Sequence, residues 1–106
     1  MQNMMHSHYF EGTTSIDDGH QHQYSGVSSS DPDITGHIHF MEGDTTMNDG
    51  HSHHYRIQTG PAIYVPGGHY HYYQGETYIA DMHAHMMNGY TSMHTEMYGF
   101  TSKFHK

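Results

Sequence analysis

The sequence predicts an all-β tandem-repeat protein of short strands, and three observations predict it. His-x-His occurs six times, at His6/His8, His20/His22, His37/His39, His51/His53, His69/His71 and His83/His85. The first members lie 14, 17, 14, 18 and 14 residues apart, so three long repeats of about 31 residues each split into two halves. Turn-forming residues recur at fixed offsets between the pairs.

The first halves align as "HSHYFEGTTSIDDG", "HIHFMEGDTTMNDG" and "HYHYYQGETYIADM". Gly12, Gly43 and Gly75 hold one place in them, and Thr14, Thr45 and Thr77 another. An apolar residue (Ile16, Met47, Ile79) and an aspartate (Asp18, Asp49, Asp81) follow in the same order. The second halves, "HQHQYSGVS", "HSHHYRIQT" and "HAHMMNGYT", keep the start of the pattern and then run into longer loops. One repeat domain therefore spans 1–106, with repeats at about 6–36, 37–68 and 69–100 and a tail at 101–106.

Strand geometry follows from the period. Residues two apart share a face of a strand, so each unit puts two histidines and one bulky residue on one side. The bulky residues are Phe10, Tyr24, Met41, Tyr55, Tyr73 and Met87. A helix would scatter them over different faces. Asp18-Gly19 and Asp49-Gly50 are tight-turn signals. Two architectures fit. In the favoured one each half-repeat is a coil of a solenoid-like stack, with equivalent histidines in rows roughly 4.8 Å apart. In the alternative, antiparallel hairpins gather in a pseudo-threefold barrel or sandwich.

Composition limits the classes of function. The chain has no Cys, Trp or Leu, and Ile, Val and Phe total 12 of 106 residues. That lies below the ~20% of aliphatic and Phe residues under which a charged chain is expected to be disordered. Metal ligation or association with other copies then has to supply what the core does not. Three basic residues stand against 11 acidic ones, which argues against nucleic acid and anionic membrane as partners. No long apolar run and no secretory leader are visible. Localisation stays open, an extracellular or cell-surface fibre included.

The repeat layout, the pattern "HxHxxxGxT…DGHxH" and "TGPAI" before "GGHYHYYQGET" resemble the YmaF family over essentially the whole chain. The resemblance implies a small His-rich bacterial protein of unassigned activity and no mechanism. The chain departs from the family pattern in its wealth of Met and Tyr. It also has Met82 where the other repeats place the Gly of the Asp-Gly turn.

Neutral imidazole is a common metal ligand, so all twelve paired histidines are candidate ligands. Two pairs, from neighbouring strands or from two copies, would make a four-nitrogen site. Zinc and nickel suit imidazole; Met5, Met82, Met86, Met87 and Met93, near the pairs, favour copper. His94 is a candidate extra ligand and His54 is expected to face away. The three turn aspartates can accept the second ring N–H of a ligating His. Tyr70 and Tyr72 suit contacts between copies. The functional expectation is a metal-binding structural protein that self-assembles, into a fibre, through metal sites and strand edges. In a stack the terminal pairs His6/His8 and His83/His85 would lack a neighbour, and joining copies would complete a site. The alternatives are a soluble metal store and, from the cupin-like "HIHFMEG", a metalloenzyme using His37, His39 and Glu42. A motif repeated six times suits binding better than catalysis, so no enzyme is expected.

Overall fold

The computed structural model describes residues 4–95. His105 and the tail at 101–106 lie outside them. The described chain is all strand, turn and loop. Nine strands follow one another: β1 (Met5–His6), β2 (Tyr9–Thr13), β3 (Gln23–Val27), β4 (Asp31–Pro32), β5 (Phe40–Asp44), β6 (His54–Val65), β7 (Gly68–Glu76), β8 (Met86–Tyr90) and β9 (His94–Thr95). Every pairing between them is antiparallel: β1–β4, β2–β3, and the run β5–β6–β7–β8 with β9 on β7.

Each repeat is thus a hairpin, β2–β3, β5–β6 or β7–β8, and its two His pairs sit at opposite ends. This differs from the stack of coils. A stack needs each strand to pair with its counterpart one unit on. Here the chain reverses between the two halves of each repeat through a tight turn, so the two halves of one repeat pair with each other. Asp18 and Gly19, Asp49 and Gly50, and Asp81 and Met82 all have φ between 53° and 86°, as a type I′ turn requires. The hairpin alternative describes the described residues, though no ladder closes them into a barrel.

The second and third hairpins share the β6–β7 ladder; the other joins between hairpins are single bonds. Ser15 N–H donates to Met86 O, Thr46 N–H to Gln23 O, and Tyr78 N–H to His54 O; Ser29 and Ser92 do the same at the other end, to Phe40 O and Tyr9 O. First repeat touches third, second touches first, and third touches second, so no repeat is terminal.

All six bulky residues read from the alternation are buried, and Ile57 joins them. Each aromatic ring lies across its hairpin from a glycine: Phe10 from Gly26, Tyr24 from Gly12, Tyr55 from Gly43, Tyr73 from Gly89. A Cβ on Gly89 would stand 2.8 Å from the Tyr73 hydroxyl oxygen, and one on Gly43 2.9 Å from that of Tyr55. The recurring glycine therefore makes room for a ring. The one unit without it has Ile57 opposite Met41, two narrower side chains. The result is a thin apolar layer between two histidine-rich ends.

Met82 keeps the turn at φ 66° with its side chain 95% exposed. A non-glycine residue in this region carries a steric penalty of roughly 1–2 kcal/mol. Met82→Gly removes that penalty and loses no packing, against a smaller entropic loss. It is expected to stabilise the fold by about 1 kcal/mol in urea unfolding. An unchanged or lowered midpoint would contradict this account of the turn.

Candidate metal centres

The hairpins gather the histidines into two clusters. His6, His8, His37, His39, His69 and His71 form the first, all buried, with ligand atoms within 4.8 Å of one another. His22, His51, His53, His83 and His85 form the second on the same criterion. Each cluster takes side chains from all three repeats. The four-nitrogen site expected from two pairs is replaced by a larger set, because three hairpins meet at each end. The pairs expected at open ends, His6/His8 and His83/His85, are both enclosed by histidines of the other repeats.

The local device that aims the rings is the same six times. The backbone N–H of the second histidine donates to a buried hydroxyl: His8 to Ser28, His22 to Thr14, His39 to Thr59, His53 to Thr45, His71 to Thr91 and His85 to Thr77, at 2.9–3.1 Å. The residue after that hydroxyl offers its carbonyl to a histidine of another repeat. Nδ1–H of His22 donates to Thr46 O, His53 to Tyr78 O and His85 to Ser15 O, each at 2.9 Å. At the first cluster His8 donates to Ser92 O, His39 to Ser29 O and His71 to Gly60 O, at 2.8–3.0 Å. The first halves display their threonine plainly. Ser28, Thr59 and Thr91 hold the same offset in the second halves, and that repeated hydroxyl was the signal for them.

A carbonyl only accepts, so Nδ1 must carry the proton in each of these rings. Neutral imidazole has a single N–H, which leaves Nε2 a bare lone pair facing the cluster. His37 shares the arrangement, with Nδ1–H donating to Ile34 O at 2.7 Å. The Nε2 atoms of His37 and His71 are 3.2 Å apart, two acceptors with no hydrogen between them. Nε2 of His39, His53, His83 and His85 is buried without a hydrogen-bond partner. Lone pairs crowded this way repel unless a cation sits among them.

The first cluster has octahedral order. Each ring stands edge-on to every other ring but one, with centroids 4.5–5.4 Å apart. The exceptions lie across the centre: His6 opposite His71, His8 opposite His37, His39 opposite His69. Nε2 of His6 is 3.1 Å from those of His37 and His69. Nitrogens 3.1 Å apart along an octahedral edge lie about 2.2 Å from its centre, near the ~2.0–2.1 Å of a metal–imidazole bond.

The second cluster is the same figure less one vertex. His53 touches His22, His51, His83 and His85 at 4.7–5.0 Å between centroids, and those four follow one another in a square. The place opposite His53 corresponds to His20. That ring turns aside, with Nδ1 2.5 Å from Asp49 Oδ2. Asp81 and Asp18 stand 3.6 and 3.7 Å from His51 and His83, so the turn aspartates do sit beside ring N–H groups.

The other sequence candidates fall outside. The His94 ring lies 4.7 Å from that of His6 but outside the group of six. His54 points outward, 3.1 Å from both Asp44 and Glu42, whose hydrogen bonds raise its pKa. Glu42 is thereby held at the surface with His54 and Arg56, away from His37 and His39. Met41 and Met87 belong to the apolar layer, while Met5, Met82, Met86 and Met93 are exposed. Tyr70 and Tyr72 pack on Tyr90 at 5.6 and 5.3 Å.

The family model described as "Spore germination protein GerY/YamF" matches residues 32–93. The chain belongs to the YmaF family. The YmaF match contains the second and third repeats almost whole, with His37/His39, His51/His53, His69/His71 and His83/His85. No curated protein and no solved structure matches the chain.

Burial disfavours protonation of six of these rings. Loss of solvent lowers the His8 pKa to about 3 and, with neighbouring histidines adding to it, those of His6 and His71 to about 4. His22, His39 and His53 are lowered for the same first cause. An unfolded histidine titrates near ~6.5. As pH falls below that value the unfolded chain takes up protons that the folded rings refuse, so it is favoured. With chelator present, the urea midpoint is expected to be level above about pH 7 and to fall steadily toward about pH 4. A midpoint that rises on acidification would contradict the burial of neutral imidazoles.

Proposed function

We propose that the protein binds two transition-metal ions, one in each histidine cluster, and that the ions bind its three repeats together. The observation that carries this reading is the inward set of bare Nε2 lone pairs on the six second-member histidines, whose Nδ1 protons are committed to carbonyls of other repeats. Binding a metal to ligands scattered over three hairpins makes its binding energy part of the folding energy. For structural zinc in small domains that contribution is on the order of 10 kcal/mol, enough to replace a sizeable aliphatic core.

Six nitrogens at octahedral corners favour a divalent ion that accepts six-fold coordination. Among metals suited to imidazole, iron(II) and nickel(II) do so, whereas structural zinc is almost always four-coordinate. The case for copper drew on methionine, and the described methionines near the pairs are in the apolar layer or exposed. Copper would then enter as Cu(II), without thioether.

The family description concerns spore germination, and we take that setting over for this chain as a metal reserve or a metal-hardened component. The geometry favours sites completed within one chain over sites shared between copies, since the pairs assigned to open ends are enclosed. Self-assembly through strand edges is independent of that argument, and a size measurement with and without metal separates the two. Binding, rather than turnover, is the role we assign.

Protein purified from its source without added metal is expected to carry close to two ions per chain. His39→Ala combined with His71→Ala should leave close to one. Chelation should lower the thermal midpoint by many degrees, as removal of a tight ligand does. Metal-free protein with an unchanged midpoint after reloading would refute the reading.

A further inference from the structure

We propose that the second centre, when metal-loaded, binds a small neutral donor molecule at the position opposite His53, which lies outside the reach of the His20 ring as it stands. This rests on the metal-binding reading and assigns a distinct property to one of its two sites. Five imidazoles, His53 at the apex and His22, His51, His83 and His85 around it, form a square pyramid. They leave one octahedral position that no described side chain fills. The nearest is His20, whose ring lies 5.2 Å from His51 and 5.6 Å from His83. It packs beside neither His22 nor His85, as the first cluster's pattern would require, and it stands outside the group of five although its Nδ1 faces Asp49 as those of His51 and His83 face Asp81 and Asp18.

The first centre has no such position. All six of its vertices are histidines, each buried to within 7%. At the second, the side chain of His20 is 19% exposed and those of Asp18, Asp49 and Asp81 are 61–67% exposed. The position therefore lies on the side of the centre rimmed by three exposed carboxylates. Such a rim repels anions, so a neutral molecule of one or two heavy atoms is the class of ligand that fits. An open position is what separates a reactive metal site from a structural one.

The test loads the full chain anaerobically with iron(II) and adds nitric oxide, a neutral diatomic probe. Iron content is measured first; a second centre that takes no iron refutes the metal-binding reading there, independently of this proposal. With both centres filled, the quartet-spin EPR signal of a ferrous nitrosyl is expected at one per two irons. His20→Ala should retain it. Iron-loaded protein that forms no nitrosyl, or forms it only in His20→Ala, would overturn the open position.

Discussion

Neutral imidazole has one proton, and in this chain the backbone takes it. The carbonyl that accepts Nδ1–H from a second-member histidine belongs to a different repeat. Each such bond therefore does two things. It ties one hairpin to the next, and it turns the Nε2 lone pair toward the other lone pairs. Tertiary closure and ligand orientation are one interaction here. Remove the carbonyl contact and the ring is free to take its other tautomer and point its hydrogen into the centre. Outer partners of this kind commonly orient ligating histidines; here they also hold the fold in a ring.

The remaining devices serve that bond. The buried Thr or Ser receives the histidine N–H and, in the five cases Thr14, Ser28, Thr45, Thr59 and Thr91, donates its own hydrogen to the next carbonyl. That carbonyl is the one another histidine uses, so the hydroxyl fixes its position. Glycines let four aromatic rings cross their hairpins and fill a narrow middle layer. Among the described residues this layer holds seven buried side chains, few for sustaining such a fold by apolar burial alone. The hairpin ladders, five residue pairs each and roughly 17 Å long, keep the two centres apart, so neither site draws on the other's ligands.

Much of this was legible in the residues. The period-2 alternation found all six bulky core positions, the outward direction of His54 and the role of the turn aspartates. It named all twelve paired histidines as candidate ligands without distinguishing among them; eleven gather in the two clusters and His20 stands beside the second. The arrangement of the repeats was not legible, for a physical reason. Alternation says which residues share a face, and both a stack and a set of hairpins satisfy it. The choice lies in whether the turn returns the chain beside its own half-repeat, and one Met in place of Gly obscured that signal in the third repeat. The cyclic use of carbonyls was beyond reach as well, because a main-chain acceptor leaves no mark in the sequence. From that came the error about open ends.

The central claim is that six imidazole nitrogens surround one point in the first cluster. X-ray absorption at the metal edge of a His53→Ala/His85→Ala chain, which retains only that cluster intact, tests it most directly. The account predicts one ion per chain, six nitrogen neighbours at a single distance of about 2.1–2.2 Å, and the multiple-scattering pattern of imidazole. Four neighbours at tetrahedral distances, or a shell containing sulfur or mostly oxygen, would contradict it.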